Sequence, residues 1–504
     1  MSSEIRDKMV ALIMGKITLM DGQNFLPQII QGGMGVGVSG WKLAKAVSLT
    51  GQLGVISGTA LDQIFVRKLQ LGDPDGHLRR AMTFFPDQEM VHRIEDAFYL
   101  PEGKQENQKF KTAPMVVFNM PKQLKELTVV AAFCEVFLAK DGHDRPIGMN
   151  LLEKIQLPNI FAIYGAMLAN VDYVFIGAGI PNEIPGVIDR LTKHLDVSLK
   201  ISVQGARLEN KFRLRFNPES FLRKKLFPLN RPKFCPIISS ATLARMMLKK
   251  ANGAIDGFVV ETSSAGGHNA PPRGRLILTP EGEPVYGFRD EVEIEKIKTV
   301  GLPFWLAGSW GTPEQLVKAL YIGADGIQAG TAFAFCKEAG LSEQLKTQVI
   351  QLIVKGKASI FTDAKASPTH FPFKVLNLKN TLSEHDEYMR RKRICDLGYM
   401  RDLYIRSDGS TGYRCPAEPV DSYIQKGGNP EGLKNKKCLC NALFSNIGLG
   451  QLREDGYVEN SLITAGKAIL SIARLLKNSH SYCAKDVVDW LLTGAGSRKC
   501  SDLC

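Results

Sequence analysis

The sequence predicts an α/β chain built as a (β/α)8 TIM barrel with a mainly helical C-terminal cap and extension. Three observations predict it. Eight short apolar runs begin near residues 28, 53, 146, 171, 199, 257, 303 and 325. Stretches of helical period separate most of them, and the alternation stops after Cys336. Eight strands alternating with helices over this length fit a closed parallel barrel better than an open sheet. The expected division is an N-terminal helix over 1–20, the barrel over 21–336 and the cap with its helical extension over 337–504.

Pro27 to Gln31 reads as the first strand, running into Gly32-Gly33-Met34-Gly35-Val36-Gly37. That loop has no G-x-G-x-x-G, which disfavours a dinucleotide turn. A helix follows over 41–49 and a strand over 53–57, and residues 61–140 read as helical or irregular. The next strands are 146–150, 171–176 and 199–203, with helices over 160–169 and 183–194 between them. From Arg207 to Lys233, basic and apolar residues alternate, as in an extended excursion. A helix over 241–249 leads to the apolar run Gly257-Phe258-Val259-Val260, and a helix near 291–299 leads to 303–307. Thr312-Pro313-Glu314 starts a helix, with Thr as cap and Pro at the first position. Gly326 to Ala329 is the last strand. Beyond it, helices are expected over 343–355, 384–395 and 461–478, with a rigid crossing segment over 367–374.

In such a barrel, function sits at the C-terminal ends of the strands. Those ends carry Met34, Asn150, Gly177, Gln204, Glu261 to His268, Gly308 and Gly330-Thr331. The stretch Glu261-Thr-Ser-Ser-Ala-Gly-Gly-His268-Asn-Ala-Pro-Pro-Arg-Gly274 displays one imidazole beside glycines. Glycines let the backbone approach a flat ligand, and the imidazole can exchange a proton near neutral pH. Glycine-bearing ends after the last two strands stand where barrels commonly hold a phosphate on backbone N–H groups.

The bulk numbers narrow the function class. Lys and Arg outnumber Asp and Glu 64 to 51, for a net charge of +13. The basic residues are mostly dispersed, so a nucleic-acid partner is not expected. Ten cysteines in 504 residues are too sparse for a disulfide scaffold. With no secretory leader pattern and no apolar run long enough to span a bilayer, a cytoplasmic protein is expected. A C-x-C pair, Cys438 and Cys440, follows Cys415, but the paired C-x-x-C knuckles of a structural zinc site are missing, and no metal is expected.

Taken together, the motifs resemble the nitronate monooxygenase family, the FMN-dependent 2-nitropropane dioxygenases, and their relatives the FMN-dependent enoyl-ACP reductases. The resemblance runs from about Pro27 to Ala339. It implies that Ala265-Gly266-Gly267-His268 is the flavin and base loop, and that Gln328-Ala329-Gly330-Thr331 with Gly308-Ser309 is the FMN phosphate site. It further implies that Asn150, Glu261 and the Gly33-Met34 loop contact the flavin ring. Glu261 stands where many members have Gln, and Ser309 stands in the usual double-glycine turn. The implied reaction is oxidation of an alkyl nitronate or nitroalkane by O2, with His268 as general base. The alternative uses the same site as an NAD(P)H-driven reductase of a quinone or enoyl thioester. A barrel without chemistry that binds a partner through the extension is the third reading. The substrate is a small molecule in both enzyme readings, and a homodimer is compatible with either.

Overall fold

A computed structural model describes residues 26–207, 212–224, 226–477 and 479–494. The helix expected over 1–20 lies outside the described residues. Eight parallel strands form the core: β1 (Ile29–Gln31), β2 (Gly54–Ser57), β3 (Ile147–Leu152), β4 (Tyr173–Gly177), β7 (Lys233–Ile238), β8 (Phe258–Glu261), β9 (Phe304–Ala307) and β10 (Gly326–Ala329). They run β1-β10-β9-β8-β7-β4-β3-β2. A parallel bridge from Ile30 to Leu53 joins the two ends, so the sheet closes on itself as the sequence predicts.

Two apolar layers hold the barrel. Ile30, Val55, Phe175, Val259 and Trp305 fill its interior, while Ile56, Met149, Val174, Phe258 and Leu306 face the surrounding helices. Buried on both sides, these strands are continuous apolar runs, as all-parallel sheets require. Trp305 is fully buried and donates from Nε1 to the Pro27 carbonyl at 2.7 Å, which satisfies its one polar atom at the barrel floor. Helix Trp41–Leu49 lies where expected, and Thr312 caps helix Pro313–Tyr321 by accepting from Gln315 N–H.

One strand was misassigned. The run near 199 is not in the barrel: β5 (Val197–Lys200) pairs antiparallel with β6 (Arg213–Phe216) in a separate hairpin. Its burial alternates, with Val197 and Leu199 inside and Lys200 out, as in a sheet with one wet face. The fifth barrel strand is β7, Lys-Phe-Cys-Pro-Ile-Ile, whose Pro236 and basic neighbours disguise it. Gln204 accordingly leaves the strand ends and bonds to Leu403 and Asp402 of the extension.

After the barrel the described chain is mostly irregular with short helices, less helical than expected, and helix Glu343–Val354 is close to its expected span. Two hairpins are added, β11 (Ile360–Asp363) with β12 (Phe373–Leu376) and β13 (Asp402–Ile405) with β14 (Thr411–Arg414). The charged helix is shorter than expected, His385–Arg390. The long helix expected over 461–478 is reduced to a 3-10 turn at Ile469–Ser471 and helix Ile472–Leu476. Residues 461–468 are instead laid along the barrel mouth.

The contact between the first helix and β2 gives a test. A Cβ on Gly54 would meet the Ala44 carbonyl oxygen at 1.9 Å, and a backbone atom cannot swing away. Gly54→Ala should therefore cost about 3 kcal/mol in urea unfolding.

Candidate active site

The strand ends open into one cavity of about 430 Å³, a size typical of small-molecule sites. Gln204 apart, every site residue expected from the sequence lines it. Gly33 and Met34 come from the loop after β1, Asn150 from β3, and Glu261 from the end of β8. Gly266, Gly267 and His268 follow on the next loop. Gly308 and Ser309 come from the turn after β9, and Gln328, Ala329, Gly330 and Thr331 from β10 and the turn beyond it.

Two glycines are required by the geometry. Gly308 has φ +86°, and a Cβ there would lie 2.4 Å from Thr262 Oγ1. At Gly33 a Cβ would sit 2.4 Å from that of Asn150, so the β1 loop can lie against β3 only without a side chain. The Asn150 Nδ2 then donates to the Gly33 carbonyl at 3.1 Å, which leaves Oδ1 buried and unpaired. Gln328 Nε2 is likewise buried and unpaired at the cavity wall. Buried polar atoms are rarely left so.

His268 is held from the C-terminal extension. Its loop runs antiparallel to the start of β12, with Lys374 N–H donating to Gly267 and Asn269 N–H to Pro372. His268 Nε2 lies 2.6 Å from Ser367 Oγ, and Phe373 meets the imidazole edge-on at 5.0 Å. Ser367 is itself buried, accepts from Thr369 N–H at 3.2 Å, and is hydrogen-bonded to the Thr369 hydroxyl at 2.8 Å. Thr464 Oγ1 accepts from Gly267 N–H at 2.7 Å, and Gly466 N–H donates to Thr331 Oγ1 at 2.8 Å. The extension thus walls the cavity on the side the barrel leaves open.

The electrostatics follow from enclosure. The accessible surface left to Glu261 and His268 faces the cavity. Burial pushes the Glu261 carboxyl up to about 8, with the nearby Lys374 ammonium opposing the shift. Burial also lowers His268 to about 4 and Lys374 to about 8. At neutral pH the imidazole and the carboxyl are therefore uncharged and the lysine retains its proton.

Sequence reasoning missed Ser367, Phe373, Lys374, Thr464 and Gly466. Only Gly466, inside a run read as helix, carried a local signal that the chain turns there. No described residue of the basic excursion lines the cavity: Arg213 pairs with Glu183 at 2.8 Å, and Arg231 pairs with Asp189 and Asp256 at 2.6 and 2.7 Å.

Residues 143–359 match the family model described as nitronate monooxygenase, a stretch from β3 past β10 that includes Asn150, His268 and Gly330. The resemblance drawn from the motifs is borne out. Probable nitronate monooxygenases of Staphylococcus aureus strains JH9 and Newman are each 27% identical over 114 residues, 23% of this chain. The match spans 31% of those relatives' own length. Among solved structures, FabK from Thermotoga maritima is similar with a TM-score of 0.46 at 16% identity, over 92% of this chain and 91% of its own. Nitroalkane oxidase from Streptomyces ansochromogenes is similar with a TM-score of 0.44 at 16% identity, over 93% and 95%.

Two measurements test the site. Ser367→Ala leaves a buried ring nitrogen without its partner and should destabilise the protein by about 1–3 kcal/mol in urea. The second concerns pH. Between the ordinary carboxyl value of 4.5 and about 8, the folded chain keeps the Glu261 proton while the unfolded chain releases it. The unfolded state then binds fewer protons, so this group's contribution to stability falls as pH rises through that window. Lys374, lowered to about 8, adds an opposite slope only above that pH. Urea midpoints from pH 5 to 8 should decline less in Glu261→Gln than in the parent.

Proposed function

We propose that the chain is a flavin-dependent oxidoreductase that takes FMN in the 430 Å³ cavity and oxidises alkyl nitronates or nitroalkanes with O2, His268 serving as general base. One observation carries the reading: the His268 imidazole, held by Ser367, shares a single cavity with two amide groups that each leave a buried atom unpaired, Asn150 Oδ1 and Gln328 Nε2. Those amide groups also support a flavin. Asn150 Oδ1 is an acceptor and Gln328 Nε2 a donor, and the edge of an isoalloxazine ring presents partners of both kinds. Glu261, protonated at neutral pH, can donate as well as accept, as the Gln found in many members would. Backbone around Gly308-Ser309 and Gly330-Thr331 would hold the phosphate.

When bound, the flavin supplies the redox chemistry, taking a hydride or electron equivalent from the substrate and passing it to oxygen. The protein's own residues handle the proton. With one ring nitrogen tied to Ser367, the other ring nitrogen of His268 is left to take the proton from the carbon beside a nitro group. Its lowered affinity for protons keeps the imidazole in the basic form above about pH 4. A protonated Glu261 adds no negative charge that would repel a nitronate, and Lys374 supplies positive charge nearby. Phe373 and Ser367 hold the imidazole ring in place.

A second reading is favoured by the apolar wall that the extension adds. Leu341, Leu443, Ile463 and Ile472 all face the cavity, and such a wall would accept the tail of an enoyl thioester or a quinone reduced at the expense of NAD(P)H. Anaerobic mixing separates the two. Bleaching of the bound flavin by a nitronate but not by NAD(P)H is expected, and the reverse pattern would replace the first reading with the second. His268→Asn should keep its flavin and lose roughly 10²–10⁴-fold in turnover of a neutral nitroalkane, with a smaller loss on the preformed nitronate. Full turnover of the neutral substrate by that variant would remove the base assignment.

A further inference from the structure

The cap contains a second, small cavity of about 10 Å³, room for one water-sized body. Its walls bring together Cys395, Cys415, Cys438 and Cys440, four of the chain's ten cysteines, from three separate segments. None of the four is in a disulfide. The sequence offered only a C-x-C near a third cysteine, and Cys395 joins them through the fold.

Donors and one acceptor face the sulfurs, the acceptor being the Ile394 carbonyl 4.0 Å from Cys438 Sγ. The backbone N–H of Ala417 points to Cys415, that of Asn441 to Cys438 and that of Met400 to Cys440. The Asn441 side-chain amide adds a second donor to Cys438 at 3.6 Å. Cys438 occupies the N-cap position of the eight-residue helix Leu439–Asn446, without a side-chain capping bond, and Cys440 lies in its first turn, so both stand at the positive end of the helix dipole. Arg401 and Lys426 act on Cys395 together with Glu418 and Asp396, and Arg391 acts on Cys438 together with Glu459. A thiol is a weak acceptor, whereas a thiolate makes strong, charge-assisted hydrogen bonds. Burial disfavours charge on all four bare sulfurs, so thiolates here depend on a bound cation, which the N–H donors then assist.

We propose that Cys395, Cys415, Cys438 and Cys440 hold a thiophilic metal centre in the cap, a zinc ion or an iron–sulfur cluster bound by four thiolates. As placed, no three described acid, imidazole or thiol groups converge tightly enough for a bare ion. Zinc, at about 2.3 Å from each sulfur, therefore draws the side chains inward, whereas an iron–sulfur cubane takes ligands that stand further apart. The centre fastens the strip behind the imidazole. Pro368 lines this same cavity, next to the Ser367 that bonds His268. Lys436, two residues before Cys438, donates to the Ser367 carbonyl at 2.7 Å.

The test is the metal and acid-labile sulfide content of the purified full chain, produced with zinc and iron both supplied. About one zinc per chain, or about four irons with matching sulfide, supports the centre and identifies it. Cys438→Ser with Cys440→Ser should lose the metal, while Cys134→Ala, buried elsewhere, should keep it. Folded wild-type chain that contains neither metal in stoichiometric amount overturns the proposal, whatever the variants do. Flavin content read on the same sample separates this outcome from that of the function proposed above.

Discussion

The short antiparallel splice between the His268 loop and the start of β12 is the constraint on which the site depends. A loop that follows a barrel strand has no partner for its backbone within the barrel, because the parallel ladder ends with the strand. Here Gly267 and Asn269 find partners in Lys374 and Pro372, more than a hundred residues further along the chain. The same crossing brings Ser367 to the imidazole and Phe373 to its edge. Loops are the mobile parts of most folds, and this one is held in place by the extension. The extension therefore completes the site, since without it the imidazole would rest on a glycine loop with only one side supported.

That division of labour explains what the sequence could and could not reveal. Barrel strands buried on both faces are continuous apolar runs, and seven of the eight were legible for that reason. Val197 to Lys200 was misread because its alternation, Val-Ser-Leu-Lys, belongs to a hairpin with one wet face. Lys233 to Ile238 was missed because a proline lies within a short run that follows a basic stretch. The cavity glycines were legible because backbone geometry leaves a local mark: Gly308 needs its positive φ, and Gly33 needs room beside Asn150. Ser367 and Thr464 left none. A serine or threonine that receives one hydrogen bond across a fold has no spacing or period to announce it.

Thr464 to Gly466 shows how tertiary contacts override a helical pattern. The run from 461 onward has apolar residues at helical spacing, yet its first half is irregular and passes between the two halves of the site. Gly267 donates to Thr464 while Gly466 donates to Thr331, so one short segment braces both the imidazole loop and the turn after β10. A Cβ on Gly266 would stand 2.9 Å from the backbone at Ala465 and Gly466, which ties the close fit of the two segments to that glycine. Helix propensity is worth a fraction of a kcal/mol per residue, and hydrogen bonds made at both ends of the segment outweigh it.

Enclosure by the extension also sets the charge state of the cavity. Removing water from around a carboxyl and an imidazole disfavours the charged form of each, so Glu261 rises while His268 falls. The two shifts have opposite signs and one cause, and together they leave a cavity whose polar groups donate and accept at neutral pH without net negative charge. An open loop bearing the same residues would place the imidazole near its ordinary value and ionise the carboxyl beside it. The extension that steadies the imidazole is therefore also what keeps an acidic residue uncharged at the cavity wall. Fold and chemistry meet in the same few contacts between residues 261–269 and 367–374.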